Sequence, residues 1–190
     1  MRYPDFFVVA ASKTATTAIA ESLANHPDVC FSEVKEPNFF SKFDINLREI
    51  PSNDLLQYQR LFKMQNTEQR VGEGSVNYLN SGNASYWINR YVPSAKILIV
   101  LRNPIERVVS LYEMYNRLGN MQMNLDEAVS PNSYVVKQCL LYEKILAYIN
   151  SFPREQILIM VFDDFLTDQV RAFQQLCQFI EIQETPDMSL

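Results

Sequence analysis

Lys13, Thr14, Thr16 and Thr17 lie in the run Ala10-Ala11-Ser12-Lys13-Thr14-Ala15-Thr16-Thr17, directly after the apolar stretch Phe6–Ala11. A strand, a tight loop and a helix start present unpaired backbone N–H groups to an anion. Lys13 adds a point charge there, and Thr16 and Thr17 add hydroxyl donors. The arrangement is that of a phosphate loop, but it lacks the glycines and the Gly-Lys-[Ser/Thr] order of the Walker pattern. Read without that chemistry, the same run is a strand-to-helix turn with an exposed lysine and a threonine N-cap.

A second cationic position follows another apolar run. Arg102 ends Ile97–Leu101 and precedes Asn103-Pro104, with Glu106, Arg107 and Ser110 beyond it. Open α/β sheets gather ligands at the carboxyl ends of their strands, and guanidinium suits bidentate contact with phosphate. Ser110, two turns into the next helix, is placed to add a hydroxyl. The alternative is an Arg102–Glu106 pair with Ser110 on the helix surface.

The elements that must carry these residues are legible from hydrophobic patterning. Phe6–Ala11, Ile97–Leu101 and Ile157–Phe162 are continuous apolar runs, the pattern of strands covered on both faces of a parallel sheet. Val29–Phe31 and Gln69–Gly72 are shorter strand candidates. Helical patterns span Thr16–Asn25, Asp54–Met64, Asn83–Tyr91, Pro104–Leu118, Ser133–Ser151 and Phe165–Ile180. The alternation predicts a doubly wound, three-layer α/β/α domain with a mainly parallel central sheet. Asp44–Asn53 and Gly119–Pro131 read as surface loops.

Bulk properties narrow the function. The chain has 190 residues, one domain's worth, with 47% hydrophobic and 21% charged residues and a formal charge of −5. No basic block stands out, which excludes nucleic acid as the main partner. Cys30, Cys139 and Cys177 are far apart and form no CxxC motif, so they read as buried thiols of a reducing compartment. No apolar stretch is long enough for a membrane span, no signal peptide is recognisable, and the expected location is cytoplasmic.

Taken together, the segments resemble the PAPS-dependent sulfotransferases, specifically the heparan sulfate branch and its bacterial relatives. Pro4-Asp5-Phe6-Phe7 leading to Lys13–Thr17, then Leu23–Val29, resembles the family's 5′-phosphosulfate loop. Arg102-Asn103-Pro104 through Arg107 and Ser110-Leu111-Tyr112 is similar to its 3′-phosphate motif. Glu36-Pro37-Asn38-Phe39-Phe40 resembles the branch's E-x-x-F-F segment, and Gly72-Glu73-Gly74-Ser75-Val76-Asn77-Tyr78 its (G)-E-K-S-P-x-Y segment. Tyr142 with Phe152–Leu158 resembles the Y…F-P-R-E-Q-I-L stretch.

The resemblance implies a P-loop-like fold and sulfuryl transfer from 3′-phosphoadenosine 5′-phosphosulfate (PAPS) to a hydroxyl or amine, with no metal. Lys13, Thr14, Ala15, Thr16 and Thr17 would hold the 5′-phosphate, and Arg102 and Ser110 the 3′-phosphate. Lys13 would stabilise charge on the leaving phosphate, and Glu36 would be the base that takes the acceptor's proton. Glu73 and Phe39 are the candidates for the acceptor side, with a structural hydrogen bond the other reading of Glu73. The acceptor would be a small molecule, lipid or carbohydrate. Residues 1–190 would form a single domain, stopping where relatives continue into a nucleotide-covering segment. Two departures stand out: Ala10 and Ala15 occupy glycine positions, and Gly74 occupies a lysine position. Other readings are a catalytically weak nucleotide-binding module and a P-loop kinase for a small metabolite. His26, at a helix end, reads as structural, and Asp163-Asp164 as a helix cap.

Overall fold

The computed structural model describes residues 2–14, 16–63, 69–119 and 123–184. Among these, five parallel strands form one sheet in the order β2-β3-β1-β4-β5: β1 Phe6–Ala10, β2 Val29–Phe31, β3 Arg70–Ser75, β4 Lys96–Leu101 and β5 Ile157–Val161. In-register pairs such as Val8↔Gly74 and Val8↔Leu98 put β1 at the centre. The predicted parallel α/β sheet is therefore the one observed.

The alternation of β1 side chains builds the two cores. Phe7 and Val9 face a layer containing Tyr58, Trp87, Ile88 and Tyr148, from helices α2 (Ser52–Gln59), α4 (Ala84–Tyr91) and α8 (Tyr142–Ser151). Phe6, Val8 and Ala10 face Ile19 and Leu23 of α1 (Thr16–Ala24) and Phe173 and Leu176 of α10 (Gln169–Ile180). Burying both faces of a strand explains why β1 and β4 are apolar without alternation. On β3, Gly72 is required by packing, since an added Cβ would stand 2.1 Å from the Phe6 ring.

Local chemistry sets the remaining boundaries. Asn103 caps α5 (Pro104–Arg117), accepting from the Ile105 N–H at 2.9 Å with proline at the first helical position. A short helix α3 (Asn77–Asn80) follows β3. The predicted loop at 119–131 contains α6 (Leu125–Val129), started by an Asn124–Glu127 capping box. The helix expected over 133–151 is two, α7 (Tyr134–Cys139) and α8, with Leu140 in extended backbone between them. The helix expected over 165–180 is also two, α9 (Phe162–Thr167) and α10, because Asp168 leaves helical backbone and caps α10, accepting from the Arg171 N–H at 3.0 Å. Asp163 and Asp164 thus lie inside the first turn of α9 rather than capping it.

β5 differs from its apolar sequence pattern. As an edge strand it leaves Ile159 38% and Val161 39% exposed, so it is not covered on both faces. His26 is structural: its Nδ1 accepts from the Asp28 N–H at 3.1 Å, which leaves Nε2 to donate to the Gln183 carbonyl at 2.9 Å.

Candidate active site

The carboxyl ends of β1 and β4 are adjacent, and the connections leaving them diverge. The chain from β1 runs toward β2 at one edge, and that from β4 toward β5 at the other. Such a switch point opens a crevice for ligands. Here the crevice receives the loop after β1 and the start of α5.

Within the loop, Lys13 takes the left-handed conformation with φ 72°. That conformation costs a non-glycine residue about 1 kcal/mol or more, and it falls on Lys13 rather than on the glycine-substituted position Ala10, which continues the strand and is fully buried. Ala15 and the side chain of Thr16 lie outside the described residues. Thr14 is buried and its hydroxyl donates to the Ala11 carbonyl at 2.7 Å, closing the turn. Thr17, exposed on the first turn of α1, accepts from Lys35 Nζ at 3.2 Å. This contact brings the segment carrying Glu36 up to the loop; Lys35 reaches Thr17 rather than serving as an ion-pair partner for Glu36.

Arg102 joins the two anion positions predicted from sequence. Its Nη1 donates to the Lys13 carbonyl at 3.3 Å, and its guanidinium lies over the Phe162 ring at 5.4 Å. It also pairs with Glu106 at 3.2 Å, four residues along α5. A half-exposed i,i+4 pair of this kind is worth only about 0.3–0.5 kcal/mol, so it is a weak competitor to a phosphate. Ser110 lies half-buried two turns along the same helix.

Sequence reasoning assigned Arg107 no role of its own, yet it organises the loop. The residue is almost wholly buried, donates from Nε to the Ser12 carbonyl at 3.0 Å and from Nη1 to the Gln138 carbonyl at 2.6 Å. Burial lowers its pKa, while the guanidinium ties the loop to α7. The available signal was its i,i+4 spacing from Leu111, the other buried residue of α5.

Glu36 is half-buried with φ 51°, and Asn38 two residues on has φ 53°. Asn38 Nδ2 donates to the Glu36 carbonyl at 2.8 Å. Two left-handed residues so close together hold the Glu36 turn in a strained form. Phe39 is buried, stacks on Tyr58 at 4.2 Å, and with Val34, Pro37, Lys42, Asp54 and Tyr58 lines a cavity of about 410 Å³.

Glu73 is fully buried beneath this cavity. Its carboxylate accepts from Tyr58 Oη at 2.7 Å and from Ser75 Oγ at 3.5 Å, and the Tyr78 hydroxyl is electrostatically coupled to it. Burial pushes it up to about 7, opposed by those hydroxyl bonds and by the Lys42 charge. Glu73 is not among the residues lining the cavity but bonds Tyr58, which is. Among the described residues no group of three or more His, Cys, Asp or Glu side chains is arranged to hold a metal, and no helix is long and apolar enough to cross a membrane.

A five-stranded parallel sheet with a cationic loop and a strand-end arginine at its switch point defines a P-loop-like α/β domain. The chain belongs to the sulfotransferase domain family, whose sequence profile matches residues 3–189. A sulfotransferase from Alicyclobacillus acidocaldarius is similar in structure with a TM-score of 0.83 at 30% identity, over 100% of this chain and 86% of that one. A mouse sulfotransferase complexed with PAP shares the fold, with a TM-score of 0.63 at 19% identity over 98% of this chain and 61% of that one. The human bifunctional heparan sulfate N-deacetylase/N-sulfotransferase 3 is 26% identical over 95% of this chain and 22% of its own length. A membrane-associated sulfotransferase of Dictyostelium discoideum is 24% identical over 72% of this chain and 30% of its own. The chain thus spans less than a third of the length of these two relatives.

Proposed function

We propose that this domain transfers a sulfuryl group from PAPS to a hydroxyl or amine. The observation that carries the reading is the adjacency of Lys13 and Arg102 at the ends of neighbouring strands β1 and β4. One nucleotide with phosphates at both its 5′ and 3′ positions has the charge pattern that two such cations suit. The loop fits this group: a turn with a left-handed lysine at a helix N-terminus offers both amide donors and a side-chain cation. The relative complexed with PAP supports the choice of nucleotide.

In this reading Lys13, Thr14, Ala15, Thr16 and Thr17 hold the 5′-phosphate, and Arg102 and Ser110 the 3′-phosphate. PAPS supplies the sulfuryl group, with 3′,5′-ADP as leaving group. Lys13 offsets the charge that builds on the bridging oxygen. Glu36 accepts the acceptor's proton as the new bond forms, a contribution of about 10²–10⁴-fold. Its turn is joined to the donor loop through the Lys35–Thr17 contact. Phe39 lines the acceptor's seat, and relatives named for heparan sulfate support a carbohydrate among the candidate acceptors. A cytoplasmic location belongs to the same reading, supported by three buried cysteines far apart in the sequence with no CxxC spacing.

The test is thermal stabilisation followed by transfer. Stabilisation by 3′,5′-ADP above that by ADP or magnesium ATP is the expected result, with label then passing from PAPS to a hydroxyl or amine acceptor. Stronger stabilisation by magnesium ATP overturns the assignment.

A further inference from the structure

We infer that Glu73 is a positioning residue for Glu36, acting through Ser75 and Tyr78 to fix the backbone of the turn that carries it. The inference rests on Glu36 being the base, as proposed above. Within that turn, two backbone N–H groups are held by side-chain hydroxyls. The Asn38 N–H donates to Ser75 Oγ at 3.0 Å, and the Phe40 N–H donates to Tyr78 Oη at 3.3 Å. Of these hydroxyls, Ser75 Oγ donates to the Glu73 carboxylate at 3.5 Å, and Tyr78 Oη is electrostatically coupled to it.

The direction of these bonds explains why a carboxylate is there. A hydroxyl has one proton to give and lone pairs to receive. When each hydroxyl gives its proton to Glu73, its lone pairs face the incoming amides. An ionised carboxylate only accepts, so it enforces that orientation on Tyr58, Ser75 and Tyr78 together. Once protonated, Glu73 has a proton of its own to place, and one of the three must reverse. The turn it holds is strained at Glu36 and Asn38, and such a turn persists only where its surroundings over-determine it.

The polar and titratable groups that face Glu73 come from several elements. Tyr58 comes from α2, Ser75 from β3 and Tyr78 from α3. Lys42 follows the Phe39–Ser41 turn, and Tyr148 comes from α8, its own hydroxyl donating to the Tyr78 carbonyl at 2.9 Å. Lys42 is the one cation among them. Burial at about 7 leaves Glu73 divided between its two forms near neutrality.

The experiment has two arms on the full chain. Amide hydrogen exchange, resolved by NMR, needs no acceptor. Ser75→Ala should speed exchange at Asn38 and Tyr78→Phe at Phe40, each by at least ~10-fold, while β1 amides stay protected. Glu73→Gln should speed both. The second arm follows label from PAPS to a glucosamine oligosaccharide bearing free amines. There Glu73→Gln should lower kcat by ~10- to ~100-fold, with PAP affinity within about twofold of the parent. In the Glu36→Gln background the same change should cost nothing further, which a merely structural loss would not reproduce. Full turnover in Glu36→Gln alone removes the base assignment. An inactive Glu36→Gln beside a Glu73→Gln with parental turnover and protected amides overturns the positioning role and spares the base. If Glu73→Gln does not fold, Ser75→Ala and Tyr78→Phe decide: unchanged exchange at Asn38 and Phe40 overturns the inference.

Discussion

Arg102 donates from Nη1 to the main-chain carbonyl of Lys13 across 3.3 Å. The two cations therefore belong to one structure and not to two independent anion sites. The side chain assigned to the 3′-phosphate also steadies the loop assigned to the 5′-phosphate. In the proposed reading, binding at one end of the nucleotide is coupled to the shape of the site for the other.

Arg102→Ala should lower affinity for 3′,5′-ADP by ~10- to ~100-fold, the value of one or two charge-assisted bonds. Affinity for ADP should change far less. Titration calorimetry with both nucleotides checks this, and an equal loss for both would assign the 3′-phosphate elsewhere. Glu106→Gln should instead raise 3′,5′-ADP affinity slightly, about twofold, because the competing pair is weak.

Replacing Arg107 by methionine strips donors from the buried Ser12 and Gln138 carbonyls. The expected cost is about 2–4 kcal/mol of stability, read by urea denaturation. Nucleotide affinity should fall with it, since Ser12 directly precedes Lys13. A variant as stable as the parent would show that the two carbonyls find other donors.

Glu73 gives the fold a pH dependence of defined sign. Its pKa is raised by burial from an ordinary 4.5 to about 7 in the folded chain. The folded state therefore holds the proton more tightly than the unfolded one. The stabilisation is complete below pH 4.5 and is lost as pH rises to about 7, roughly 3 kcal/mol across the window. Denaturant midpoints at pH 5 and pH 7.5 should differ more for the parent than for Glu73→Gln. Identical pH slopes for the two proteins would remove Glu73 as the cause.

Gly72→Ala should destabilise the sheet by about 1–3 kcal/mol or more, because its Cβ would stand 2.1 Å from the Phe6 ring. Gly74→Ala, whose nearest neighbour would be Val8 Cβ at 3.4 Å, should be the milder of the pair. Thermal midpoints of the two variants check the order, and a reversal would mean that Phe6 has room to move.

The sequence by itself determined the class of fold and singled out the residues of the proposed donor site. Apolar runs of five or six residues between helical patterns are a local signal, and so is a lysine–threonine loop after the first of them. Arg102 was legible because it ends such a run. Helix breaks at Leu140 and Asp168 were not, since hydrophobic period alone carries through both points. The exposed face of β5 was hidden for a related reason: whether a strand is central or at an edge depends on its neighbours in space.

Tertiary structure alone decided which polar residues meet. Arg107 finds Ser12 from 95 positions away and Gln138 from 31. Glu73 is joined to the Glu36 turn through Ser75, across a separation of 37 residues between Asn38 and Ser75. Hydrogen bonds act over about 3 Å, and no spacing along the chain encodes a partner that the sheet brings close only after it has formed.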